Sequence, residues 1–125
     1  MEPLFLFGLA SRHAQWATVR QAAISGNVAN ANTPGFKAVD VEPFAAVLDK
    51  TRLSMTQTSA NHMAPPTATA SAAKARAGEG WDMTVSGNSV SLEEQMLKAD
   101  EVNRAFSLNT SIVRSFHRML LASVK

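Results

Sequence analysis

The chain has 125 residues, 46% of them hydrophobic but only 6% aromatic, and a formal net charge of +2. That is the length of one domain, and because much of the apolar count is alanine it suits helical seams better than a large compact core. So small an excess of positive charge makes no dense basic field for nucleic acid, and the absence of cysteine excludes disulfides and thiolate metal sites.

The first nine residues are apolar, yet they carry Glu2 where a cleavable signal peptide has a basic region, and Arg12 and His13 follow closely. No run approaches the roughly 18 apolar residues that span a bilayer, so no stable membrane insertion is expected. From about residue 4 to 31, Phe7, Ala10, Ala14, Ala17, Ile24, Val28 and Ala31 recur at spacings of three and four, interrupted at Gln21. This is a helical stripe whose alanines allow close approach of a second helix. At 1.5 Å per residue the helix is roughly 40 Å long, too long for the remaining apolar elements to cover alone.

The stripe stops at Asn27-Val28-Ala29-Asn30-Ala31-Asn32-Thr33-Pro34-Gly35-Phe36-Lys37-Ala38. Pro34 fixes its own φ and pushes Thr33 toward extended geometry, and Gly35 supplies the positive φ of the third position in a type II turn. Asn30 and Asn32 suit a helix end, because their amides bond nearby backbone. Next, Phe44, Val47 and Leu48 fall on one side of a short helix. Residues 53–58 alternate weakly, as an edge strand or extended arm would. From Met63 to Gly80 the composition is Pro-Pro followed by Thr, Ala and Ser, with Lys74 and Arg76, which reads as a loop that does not order itself. Residues 85–90 supply a turn with Gly87-Asn88 at its tip.

The last helix opens on Ser91-Leu92-Glu93-Glu94, a capping box in which Ser91 caps and Glu94 reaches back. Leu92, Ala99, Phe106, Val113 and Leu120 then repeat every seven residues, joined by Met96, Val102, Ile112, Phe116 and Met119. This is a coiled-coil seam. The fold expected is mainly α: long N- and C-terminal helices pair as a coiled coil, and an extended, loop-rich middle holds a short helix or a β-hairpin. The divisions are 1–32, 33–90 and 91–125, with both ends forming one assembly domain. Two such helices still leave apolar side chains uncovered, and contacts between different patches of identical chains propagate into a helical tube.

Nothing converges on catalysis. His13, His62 and His117 lie in three separate segments, and the adjacent acids Glu93-Glu94 and Asp100-Glu101 diverge on a helix. No catalytic, cofactor-binding or metal-ligating set is expected. Arg114, Arg118 and Lys125 are too few to make a nucleic-acid face and adjoin a packing seam.

Residues 27–38 match the pattern N-x-A-N-x-x-T-P-G-[FY]-K-A that follows the first helix of bacterial flagellar axial proteins, and the chain resembles that family. Gly87 to Met96 is similar to G-N-x-V-x-L-E-x-E-M, the entry to the last helix in its short rod proteins, with Gln95 in place of the second acid. Thr58 to His62 resembles their T-x-x-x-H stretch. The pattern of a related rod branch with a longer middle is missing, which leaves that branch as the alternative. The resemblance implies a non-catalytic subunit of the basal-body rod, without cofactors, that polymerises with its own copies and with other rod and basal-body proteins. It implies export without cleavage by the flagellar type III apparatus, into a rod that crosses the periplasm. The signature Asn27, Ala29, Asn30, Thr33, Pro34, Gly35, Phe36, Lys37 and Ala38 then marks where the chain leaves the tube wall. Phe7, Ala10, Ala14, Ala17, Ile24, Val28, Leu92, Met96, Ala99, Phe106, Val113 and Leu120 form the assembly seam. Phe5 with Leu9 either extends the helical stripe or serves as the export signal.

Overall fold

The computed structural model describes residues 3–49, 75–77 and 83–124. Helix α1 spans Pro3–Ala29, strand β1 Val39–Val41, helix α2 Phe44–Asp49, strand β2 Ala75–Ala77 and helix α3 Leu92–Ser123. The weak alternation at 53–58, the Thr58 to His62 stretch and all of 63–80 other than β2 lie outside the described residues.

Helices α1 and α3 run antiparallel. Asn27 meets Gln95, Arg20 meets Glu101, Ala10 meets Asn109 and Phe7 meets Phe116. Ala17 is fully buried and Ala10 nearly so, the close approach that the alanine stripe allows. The core is Trp16, Ala17, Ile24, Val41 and Val102, with Val19, Ala23, Phe44, Val47 and Ala99 packed against it. Helix α2 closes it at Phe44, whose ring lies 4.8 Å from His13 and 5.8 Å from Trp16, and Trp16 Nε1 donates to the Glu42 carbonyl at 2.8 Å. The core therefore sits toward the end of the helix pair where α1 finishes and α3 begins. Beyond Val102, α3 has no fully buried residue.

The contact stripe on α3 also repeats every seven residues but is set three residues on from the Leu92 series read in the sequence. The line of contact with α1 runs through Gln95, Val102, Asn109 and Phe116, with Glu101 beside it on Arg20, and Leu92 and Met96 are exposed. Positions three residues apart on an α-helix point about 60° away from each other, so the Leu92 set runs beside the contact line. The repeat begins beside the seam at Leu92, is partly buried at Ala99, and returns to partial burial at Val113 and Leu120.

The linker composition of 63–80 conceals β2. Ala75–Ala77 pairs antiparallel with β1, Val39 opposite Ala77 and Val41 opposite Ala75. A strand added to an edge draws on backbone hydrogen bonds, so it needs little apolar side chain of its own.

Candidate functional site at the helix junction

The signature loop and the entry to α3 form one structure. In the turn Thr33-Pro34-Gly35-Phe36 the Phe36 N–H donates to the Thr33 carbonyl at 3.2 Å, and Gly35 has φ of 73°. This is the type II geometry that the Pro-Gly pair favours. Gly35 N–H donates to Ser86 O at 2.9 Å and Ser89 N–H to Phe36 O at 3.0 Å, so the two loops are stitched backbone to backbone. Ser89 Oγ accepts from Ala38 N–H at 2.8 Å, and Lys37 Nζ donates to Gly87 O at 3.2 Å.

Asn88 is the centre of this clamp and is not a turn tip. The turn is closed by Gly87 N–H donating to Thr84 O at 2.8 Å, which puts exposed Val85 and Ser86 at the corner. Asn88 is 2% exposed. Its Nδ2 lies 2.9, 2.9 and 2.8 Å from the carbonyl oxygens of Asn30, Ala31 and Thr33. Two amide protons are shared among three acceptors just past the end of α1, where carbonyls lack helical partners. Its Oδ1 accepts from Val90 N–H at 2.8 Å, shaping the backbone that enters α3.

Asn27, 1% exposed, does the same for β1. Its Oδ1 accepts from Val39 N–H at 2.9 Å and its Nδ2 donates to Val39 O at 2.7 Å, so the side chain bonds Val39 as a neighbouring strand would. The same Nδ2 donates to Gln95 Oε1 at 2.9 Å. At the α3 entry, Ser91 Oγ accepts from Glu94 N–H, which is half of the expected capping box. The reciprocal half is replaced: Ser91 donates to Glu93, and the Glu94 carboxylate lies 2.7 Å from Lys98 Nζ.

An ionic cluster ties α1, β1 and α3 together. Lys98 Nζ also lies 2.7 Å from Asp40 Oδ2, and Arg20 is 3.5 Å from Asp40 and 3.2 Å from Glu101. The Arg20 guanidinium also stacks 5.4 Å from the Trp16 ring. Burial pushes the Asp40 carboxyl up, but the Lys98 hydrogen bond, the Val41 N–H and the charges of Lys98 and Arg20 outweigh it and hold it below the ordinary value. Burial likewise pushes Lys98 down, and its bonds to Asp40 and Glu94 more than reverse this, raising it. His13 is lowered by burial against the aromatic rings, which favours the neutral ring.

Of the signature, Asn27 and Ala38 are buried, Asn30 and Phe36 are half-buried, and Ala29, Thr33, Pro34, Gly35 and Lys37 are exposed. Asn30 Nδ2 caps the Gly26 carbonyl at 2.8 Å. Of the seam, Ala10, Ala17 and Ile24 are buried and Phe7, Ala14, Ala99, Val113 and Leu120 partly so, whereas Val28, Leu92, Met96 and Phe106 face outward. Phe5 is exposed and Leu9 lines an apolar groove. The sequence reading gave Asn88 only as a turn tip and Gln95 only as a departure from the helix-entry pattern, and it assigned no role to Ser89 or to the cluster of Arg20, Asp40 and Lys98. Only the Gly87-Asn88 dipeptide before a capped helix signalled any of them.

Most polar groups of the junction are spent on backbone and on one another, with Gln95 Nε2 buried without a hydrogen-bond partner, and among the described residues no three acids or histidines gather as metal ligands. The arrangement sets the angle between two helices and an arm. Residues 14–37, from the middle of α1 through the signature turn, match the family described as flagella basal body rod protein. The chain is 45% identical over 129 aligned residues to a flagellar basal body rod protein, FlgB, of Agrobacterium fabrum strain C58, covering all of this chain and 96% of that one. The chain belongs to the flagellar basal-body rod proteins. Like its family, it is a structural component of the flagellar basal body, and the match over the full chain does not favour the rod branch with the longer middle. No described helix of this rod protein is long and apolar enough to cross a membrane.

Proposed function

We infer that this rod protein is a non-catalytic subunit of the proximal rod, which polymerises by helix packing with its own copies and with other rod and basal-body proteins into the tube that transmits motor torque. The observation that carries the reading is the clamp itself. The family signature at 27–38 is bonded residue by residue to the α3 entry at 86–89, so both helices leave one rigid corner at a set angle. A subunit that repeats in a lattice needs such a fixed angle, since any error at the corner accumulates along the tube. Exposed apolar side chains on α3 are consistent with neighbours that cover them.

Expression of the chain in a strain lacking its own proximal rod subunit tests this. Restored swimming and recovery of the chain in purified basal bodies are expected; soluble chain without basal bodies overturns the reading. The finer proposal is export by the flagellar type III apparatus without cleavage, with Phe5 and Leu9 as the recognised pair. Phe5 is 62% exposed and available to a receptor. Deleting residues 1–9 and measuring secretion separately from assembly decides it, and undiminished secretion refutes it.

A further inference from the structure

Imidazole changes charge near neutral pH, and His13 takes no part in the junction, yet it stands where a charge is poorly served. It is half-buried on α1, its ring 4.8 Å from Phe44 in an edge contact and 5.6 Å from Trp16, and it lines an apolar groove with Leu6, Leu9 and Ile112. Its charged neighbours on α1 are positive. Arg12 precedes it, and the Arg20 guanidinium already lies 5.4 Å over the same Trp16 ring. The face of α3 across the groove brings Ala105, Leu108, Asn109 and Ile112, none of them charged. The acids of α3 and β1 are engaged elsewhere: Asp40 with Lys98 and Arg20, Glu101 with Arg20, Asp100 with Arg104. On the α2 side the acids are Glu42, ahead of the helix, and exposed Asp49 at its end. Burial alone moves the titration of His13, downward, with no carboxylate opposing it.

The element that His13 touches is weakly held. Helix α2 has six residues, none of them buried, and is too short to be helical on its own. Its seat on α1 is Phe44 against His13 and Trp16, with Val47 against the core and the Trp16 Nε1 bond to the Glu42 carbonyl just ahead of it.

We propose that His13 is a proton-operated catch for α2. Neutral imidazole packs beside Phe44 and Trp16 as one more aromatic ring. Imidazolium has to regain water, and it sets a second cation beside an indole already shared with Arg20, so the ring turns to solvent, Phe44 loses its seat and α2 leaves α1. The junction clamp stays closed, because its bonds do not use His13. Phe44 also walls the groove, so acid reshapes that face of the molecule. The unfolded chain takes up the proton first; the seat is therefore firm above the ordinary value of 6.5 and is lost as pH falls through the lower folded value. The catch belongs to the isolated chain and does not depend on the rod-subunit reading.

The full chain carrying Trp81→Phe leaves Trp16 as the single indole reporter. In NMR titrations between about pH 8 and pH 5, where imidazoles change charge, His13 is expected to titrate below the exposed His117, its signal assigned by its absence from His13→Phe. Over the same range Trp16 emission is expected to shift while helix content by circular dichroism holds. Exchange of the Val47 amide, which bonds the Pro43 carbonyl at 3.2 Å, is expected to rise about tenfold after correction for intrinsic pH dependence, the ratio supplied by one pH unit of difference in proton affinity. His13→Phe, a ring that cannot charge, should lose this response, and His13→Lys should show the released state already at the alkaline end. His13 titrating at or above His117 overturns the proposal, as does an acid response that persists in His13→Phe or a Trp16 emission that stays flat. Helix content falling in step with Trp16 emission overturns it too, since that marks unfolding of the whole chain. If His13→Lys does not fold, the parent and His13→Phe titrations still decide.

Discussion

Asn27 Nδ2 donates to Gln95 Oε1 at 2.9 Å, joining the last turn of α1 to the first turn of α3 across 68 residues of sequence. Both residues are 1% exposed, and the same Asn27 amide holds both backbone groups of Val39. Helix pair and arm therefore share one side chain.

Asn27→Ala removes the partner of the part-buried Val39 N–H and carbonyl and of the buried Gln95 Oε1. At about 1 to 3 kcal/mol for each unsatisfied group, and allowing for relaxation, a loss of about 3 kcal/mol is expected. Gln95→Leu is expected to be milder, because Asn27 keeps both of its Val39 bonds and the Gln95 Nε2 atom, buried without a partner, is removed. Urea unfolding followed by circular dichroism ranks the two, and equal losses would show that the Val39 clasp contributes little.

Asn88→Asp keeps the size of the side chain but replaces its only donor with an oxygen facing three carbonyl oxygens. Loss of swimming and faster amide exchange at residues 30–36 are expected, with helix content little changed. Asn88→Ala, which removes the donor without adding repulsion, is expected to fall between Asn88→Asp and the parent chain.

At Gly35 a Cβ would meet nothing within 4 Å, so the cost of a side chain there comes from its φ of 73° alone. Left-handed backbone costs an ordinary L-residue about 1 to 2 kcal/mol, a β-branched one more, and asparagine less. Gly35→Val is expected to be expressed and secreted but to block rod assembly, and Gly35→Asn to retain partial swimming. Normal swimming of Gly35→Val refutes the role of the turn in setting the corner.

The Asp40 and Lys98 pair gives a two-sided pH dependence. Asp40 is lowered on folding, so its stabilisation is present above its unfolded value of 3.8 and lost as pH falls through the folded value. Lys98 is raised, so its stabilisation is present below 10.5 and lost as pH rises through the folded value. Stability measured by thermal melts is expected to hold a plateau between these limits. Lys98→Met should remove the alkaline fall and shrink the acid one, lowering the plateau by about 1 kcal/mol since the pair is partly solvated. An unchanged pH profile in Lys98→Met would show that the cluster does not contribute.

What the sequence determined by itself was everything carried by neighbours a few residues apart. Spacing of three and four marks α1 and α3, Ser91 marks the start of α3, Pro34-Gly35 writes the turn, and Phe44, Val47 and Leu48 mark α2. These follow from local dihedral preference and side-chain period, which any short window contains. Tertiary structure decided the rest. Nothing local distinguishes Asn88 at a turn tip from Asn88 buried beneath three carbonyls, because its partners lie 55 to 58 residues away. Ala75–Ala77 becomes a strand only because β1 offers an edge, and the capping acid Glu94 turns to Lys98 because Asp40 draws the same ammonium from the other side. Which of two seven-residue sets on α3 meets α1 was settled by the packing of the helices, so the burial of Val102 and the exposure of Leu92 appear only once the two are set together.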